Sequence, residues 1–98
     1  MPGYLVASVE VTDPDAYAAY RAQVPAVVER FGGRFLVRGG TIEAKEGDLG
    51  IERLVILEFP TIEAARAFYD SPDYAPLIRL REASTRSRVA LVEGLPTA

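Results

Sequence analysis

Ninety-eight residues, 49% hydrophobic and 26% charged with a net charge of −3, fit one domain covering residues 1–98, with an ordered core from about Gly3 to Gly94. The chain has no His, Cys, Trp or Asn, which excludes a Ser-His-Asp triad, a thiolate nucleophile, a disulfide and any His- or Cys-ligated zinc, haem or iron–sulfur site, so neither metal nor organic cofactor is expected. The acidic balance disfavours nucleic acid as partner, the absence of an apolar run of about 18 residues leaves nothing to span a membrane, and Met1 to Glu10 lacks a signal-peptide pattern, so the expected location is cytoplasmic.

Gly3 to Val11 alternates apolar and polar residues and predicts a strand. Asp13-Pro14-Asp15 then starts a helix: Asp13 can cap, Pro14 suits the first turn, and Asp15 favours the positive end of the dipole. The helix reaches about Arg30, with Tyr17, Tyr20, Val24, Val27, Val28 and Phe31 on one stripe. Pro25 inside it predicts a kink or a break. Gly32-Gly33 ends it, Gly32 as a left-handed cap. Arg34 to Arg38 is a second strand, weakened at its end by Gly39-Gly40. Residues 41–50 form a polar connection. Arg53 to Phe59 is the third strand, stopped by Pro60. Thr61 caps a second helix, and Ser71-Pro72-Asp73 restarts a short one carrying Tyr74, Leu77, Ile78 and Arg81. Arg88 to Glu93 is the fourth strand, ended by Gly94 and a frayed tail. The order predicts an α+β, ferredoxin-like β-α-β-β-α-β fold, a four-stranded antiparallel sheet with its helices on one face.

Strand parity divides that sheet into two faces. Leu5, Ala7, Val9, Val11, Phe35, Val37, Val55, Leu57, Phe59, Val89 and Leu91 form an apolar face for the helices. The other face has an apolar middle of Val6, Leu36, Leu54, Ile56 and Val92, flanked by Arg34, Arg38, Glu10 and Glu58. An uncovered face should be mostly polar, so this one is expected to bury itself against a second copy of the chain.

Arg38 and Glu58 share that second face, either as an ion pair at the interface rim or as an anion clamp or acid–base pair. Tyr69, Ser71 and Tyr74 surround the break between the last two helices, where free amides could hold an anion, or where Ser71 caps and the tyrosines pack. Arg81 lies on one helical face with Tyr74 and Ile78 and can point inward as a carboxylate or phosphate clamp. Tyr17 and Tyr20 read as core, although a tyrosine hydroxyl at a cavity can orient a ligand. The paired glycines form no phosphate-cradling motif.

Three strings carry a family resemblance: Gly32-Gly33-Arg34-Phe35-Leu36-Val37-Arg38-Gly39-Gly40, Glu58-Phe59-Pro60, and Ala64 through Tyr74 with its Tyr-Asp-Ser-Pro-Asp-Tyr core. With Leu80-Arg81 and Val92-Glu93-Gly94, they resemble the bacterial family called domain of unknown function thirteen-thirty, within the dimeric α/β-barrel superfamily. Phe68 stands where many members have Trp. The resemblance implies ferredoxin-like subunits pairing sheet to sheet, and no particular activity. The superfamily holds cofactor-independent monooxygenases, haem-degrading enzymes, isomerases and ligand-binding regulators, most with a cleft between helices and sheet. The haem-degrading branch is least similar, because this chain lacks the axial His.

The functional expectation is a homodimer that binds a small anionic or aromatic molecule through Arg38, Tyr69, Ser71, Tyr74 and Arg81. One alternative is a cofactor-independent monooxygenase or isomerase, with Glu58 as proton acceptor, raised by burial, and Arg38 or Arg81 steadying an enolate or carboxylate. The other is a structural or interaction module without ligand. An RNA-recognition role is disfavoured, because Leu54, Ile56 and Glu58 stand where stacking aromatics would be needed.

Overall fold

A computed structural model describes residues 1–96, so the end of the expected frayed tail lies outside the described residues. Seven elements follow one another: β1 (Gly3–Val11), α1 (Pro14–Arg30), β2 (Arg34–Arg38), β3 (Arg53–Phe59), α2 (Ile62–Tyr69), α3 (Ala75–Ser84) and β4 (Thr85–Glu93). The strands form one antiparallel sheet in the order β2-β3-β1-β4. Each βαβ connection therefore skips one strand, which is the ferredoxin-like arrangement.

Local chemistry sets the helix ends. The Asp13 carboxylate accepts from the Ala16 amide at 3.2 Å, and the Thr61 hydroxyl accepts from the Ala64 amide at 3.1 Å. Gly32 takes φ 78°, which lets its amide and that of Gly33 return to the Glu29 and Val28 carbonyls. Pro25 does not break α1, which continues to Arg30. Its missing N–H leaves the Arg21 carbonyl without an intrahelical donor, and the Arg38 guanidinium fills that place, Nη2 donating at 2.8 Å.

The core lies between the helices and one face of the sheet. Leu5, Ala7, Val9, Leu57 and Phe59 are buried there against Val24, Val27, Val28, Ala65, Phe68 and Leu77. Phe68 packs among Phe31, Phe59 and Tyr74, with ring centroids 6.1, 5.1 and 4.3 Å away. The Phe at this position therefore supplies the aromatic contact that the fold needs.

Two expectations change at β2. A bulge interrupts the register: Phe35 pairs with Leu57, but Val37 pairs with Ile56 and Arg38 with Val55. The extra residue reverses the alternation. Val37 therefore joins the outer face and Arg38 turns to the helix side, so Arg38 and Glu58 are not partners. The fourth strand also begins earlier than its polar start suggested, because Thr85 pairs with Val11.

Candidate functional site

A small cavity of about 30 Å³ lies between α1, α3 with the Tyr74 that precedes it, and the inner face of the sheet. Leu5, Ala7, Val24, Val55 and Leu57 supply apolar wall, while Tyr17, Tyr20, Tyr74, Arg21, Arg38 and Arg81 supply its polar groups. Each polar group arrives by a separate device. Tyr17 and Tyr20 are three residues apart on α1 and stack with ring centroids 5.8 Å apart. Arg38 is delivered by the bulge, and its guanidinium lies 4.4 Å over the Phe35 ring.

Tyr74 and Arg81 come from the end of the chain's helical half. The Ser71 hydroxyl donates to the Phe68 carbonyl at 2.8 Å and accepts from the Tyr74 amide at 3.1 Å. One side chain thus ties the end of α2 to the approach of α3 and fixes where Tyr74 enters the core. The amides of Ser71, Tyr74 and Ala75 all have carbonyl partners within this turn. The expected free amides for an anion are therefore absent from these three positions, and α3 starts at Ala75 without a side-chain cap.

Arg81 is the central charge. It is 6% exposed, donates from Nη1 to the Tyr74 hydroxyl at 3.0 Å, and leaves Nε buried without a partner. The Tyr74 hydroxyl in turn lies 2.7 Å from that of Tyr20. Among the described residues, the ion pairs are Arg30–Asp73, Arg34–Glu58 and Lys45–Glu43, so Arg38, Arg53 and Arg81 have no carboxylate partner. The negative end of α3 offsets part of the Arg81 charge, because Arg81 is in its last turn.

Burial, with Tyr74 adjoining, pushes the Tyr20 phenol well above the ordinary tyrosine range. Burial raises Tyr74 as well, against the opposing Arg81 charge. Burial works against the Arg81 charge, but Tyr74, Tyr69 and Tyr20 outweigh it and hold the guanidinium above its ordinary value. With Tyr20 and Tyr74 both raised, neutral pH leaves the Arg81 guanidinium beside two protonated phenols.

The expected site residues therefore fall into separate places. Tyr74 and Arg81 meet in the cavity, and Arg38 lines its other side. Tyr69 packs edge-on to Tyr74 at 5.8 Å and adjoins Arg81. Ser71 holds backbone. Glu58 is across the sheet, where it accepts from Arg34 Nε at 2.8 Å and from the Tyr4 hydroxyl at 3.2 Å, beside a shallow hollow of about 680 Å³. Desolvation, then the hydrogen bond to Glu58, raises the Tyr4 phenol.

Four polar residues at or near the cavity were not among the expected ligand contacts: Tyr17, Tyr20, Arg21 and Arg53. Tyr20 reads as core because it lies on the apolar stripe of α1. Arg53 pairs with Val9 on the inner face, donates from Nε to the Tyr17 hydroxyl at 3.1 Å, and leaves Nη2 buried without a partner. Its odd number, shared with Val55, Leu57 and Phe59, is the signal that marks it.

The model of the family described as domain of unknown function, DUF1330, matches residues 2–95. The chain belongs to the DUF1330 family. A comparison with curated proteins finds no match. Among solved structures, the DUF1330 chain is similar to a protein of unknown function from Rhodopseudomonas palustris, with 25% identity and a TM-score of 0.70, covering 98% of this chain and 84% of that one. It also shares its fold with a dimeric ferredoxin-like protein of unknown function from Jannaschia, with 17% identity and a TM-score of 0.71, covering 96% of this chain and 100% of that one. SnoaB, a cofactor-independent oxygenase from Streptomyces nogalater, shares the fold at 16% identity and a TM-score of 0.64, covering 98% of this chain and 95% of that one. Among the described residues of the DUF1330 chain, no helix is long and apolar enough to cross a membrane.

Proposed function

We propose that this DUF1330 chain is a homodimeric domain that binds a small anionic or aromatic molecule in the cavity between its helices and its sheet. The observation that carries the reading is Arg81, a buried guanidinium with an unpartnered N–H and no carboxylate. An uncompensated buried charge is costly, and a bound anion would relieve it. The cavity is well below the volume that encloses a drug-sized ligand, about 300 Å³ or more. It therefore suits the head group of a molecule whose body displaces the side chains toward Arg38.

Thermal shift with benzoate, hydroxybenzoates and inorganic phosphate tests the proposal. Wild type should be stabilised by at least one carboxylate, and Arg81→Lys should lose most of that gain while remaining folded. If no probe of any class stabilises the chain, the structural or interaction module becomes the better reading.

A second reading, a cofactor-independent oxygenase or isomerase, draws on the phenol–guanidinium chain, which suits a developing negative charge, and on the fold shared with SnoaB. Glu58 is on the wrong side of the sheet to take a proton in this cavity. Glu58→Gln should leave ligand stabilisation unchanged, and oxygen uptake with an ionised phenol substrate would separate oxygenase from binder.

A further inference from the structure

We propose that the cavity takes its ligand as a preformed oxyanion, a carboxylate, enolate or phenolate, and that the Tyr20 hydroxyl is the donor that meets it. This rests on the small-anion reading above and adds which ionisation state binds and which group receives it.

The inference comes from counting protons. The hydroxyls of Tyr20 and Tyr74 are 2.7 Å apart, and either oxygen could donate. Tyr74 is 2% exposed, and its oxygen already accepts from Arg81. Among the described residues, Tyr20 is the only acceptor within hydrogen-bond distance of the Tyr74 proton. If Tyr20 donated, the Tyr74 proton would be stranded in the core, which buried polar groups avoid. The consistent arrangement runs from Arg81 to Tyr74 to Tyr20, and it leaves the Tyr20 proton without an acceptor among the described residues. Tyr20 lines the cavity, so that proton is available to a ligand there. Each bond polarises the next, so a guanidinium at the head of the chain makes Tyr20 a stronger donor than an isolated phenol.

The remaining polar groups select the ionisation state. Facing Tyr20 are Tyr17 and Arg21 of α1, Arg38 of β2, Tyr74, and Arg81 of α3, with Tyr69 of α2 behind Arg81 and Arg53 of β3 beyond Tyr17. None is Asp, Glu or His. Arginine has donors and no acceptor, and burial keeps Tyr20 and Tyr74 protonated. The polar side chains lining the cavity are thus guanidiniums and phenols, with no carboxylate to act as a base. A neutral acid entering it finds no side chain to take its proton, whereas its conjugate base finds the Tyr20 hydroxyl and the Arg81 guanidinium.

The test uses the intact protein and three probes: benzoate, ionised throughout the range; 4-nitrophenol, which ionises near neutrality; and phenol, which stays neutral. Wild type should bind benzoate at constant affinity and phenol at least roughly tenfold more weakly than nitrophenolate, about one charge-assisted hydrogen bond. Affinity for 4-nitrophenol should fall about tenfold per pH unit below the probe's own ionisation, and its bound visible band should shift to the blue as Tyr20 donates to it. Tyr20→Phe should bind nitrophenolate roughly tenfold more weakly and lose part of that shift. Equal affinity for neutral and ionised probes overturns the oxyanion. Unchanged binding and band position in Tyr20→Phe overturn the donor while leaving the small-anion reading intact. No binding of any probe to wild type removes both. The band shift is measured on unaltered protein, so the donor remains testable should Tyr20→Phe fail to fold.

Discussion

Single residues do two kinds of work in this chain: some relieve a problem made elsewhere, and some only fit where a neighbour leaves room. Pro25 and Arg38 are of the first kind. Replacing Pro25 by Ala supplies an amide for the Arg21 carbonyl, regains helix propensity and releases Arg38. Net stability should rise by about 1 kcal/mol, read as an increase in melting temperature of roughly 4–8 °C; a loss would mean that the Arg38 bond is worth more than a neutral hydrogen bond. Gly39 is of the second kind. It has φ 72°, and a Cβ there would strike the Arg53 guanidinium. Gly39→Ala should cost about 1–2 kcal/mol in urea unfolding. The phenol cluster sets an alkaline limit. Tyr20 and Tyr74 hold their protons more tightly folded than unfolded, so their contribution is complete below about pH 10. Above it the unfolded chain releases those protons first, and stability falls as pH rises through the folded values. Urea midpoints should drop as the pH rises above about 10, and less steeply in Tyr20→Phe.

At the scale of elements, the helix caps were legible because they are local: Asp13, Thr61 and Gly32 act within one turn of themselves. The short helix after Ser71 was legible for the same reason, although Ser71 works by linking the two helices rather than by capping α3. Removing its hydroxyl leaves the buried Phe68 carbonyl and Tyr74 amide each short of one bond. Ser71→Ala should therefore cost about 1–3 kcal/mol, and it should weaken ligand stabilisation through a displaced Tyr74. Thermal melts with and without benzoate separate the two effects. The β2 bulge was not legible. Parity assumes an unbroken ladder, and nothing in Arg34-Phe35-Leu36-Val37-Arg38 marks where one residue drops out of pairing. That single slip carries Arg38 from a supposed partnership with Glu58 to the cavity. The first residues of β4 were missed because Thr85, Arg86 and Ser87 are polar. They are strand because β1 offers a ladder up to Val11, while the Ser84 carbonyl accepts from the Thr12 and Asp13 amides at 2.8 and 3.1 Å.

At the scale of the whole molecule, one sheet face carries no helix among the described residues. Leu36 and Val92 there are 45% and 47% exposed, and Val6, Leu54 and Ile56 are only half-covered. The Arg34, Glu58 and Tyr4 side chains cross one end of that face in strand register. An apolar centre with a polar rim is what a two-fold interface needs, and about 800 Å² per partner would make it stable. Light scattering at micromolar concentration should give twice the chain mass. Ile56→Glu should give a monomer, because it would set a charge in the middle of the face proposed to pair with its copy.

The sequence by itself determined the order of elements, their caps, the two-faced sheet and the family, because these depend on spacing along the chain and on chemistry within a turn. It also determined what the cavity could be made of, since a chain without His or Cys has only carboxylate, hydroxyl, phenol and guanidinium groups with which to act on a ligand. Which of those groups meet was decided by tertiary structure alone. Tyr20 and Tyr74, 54 positions apart, are joined by a hydrogen bond between their hydroxyls, while Glu58 is separated from them by the thickness of the sheet. The strand bulge, which has no local signature, turns Arg38 to the cavity, while the helix break that the sequence does mark at Ser71 fixes where Tyr74 enters the core, and the character of the site follows from both.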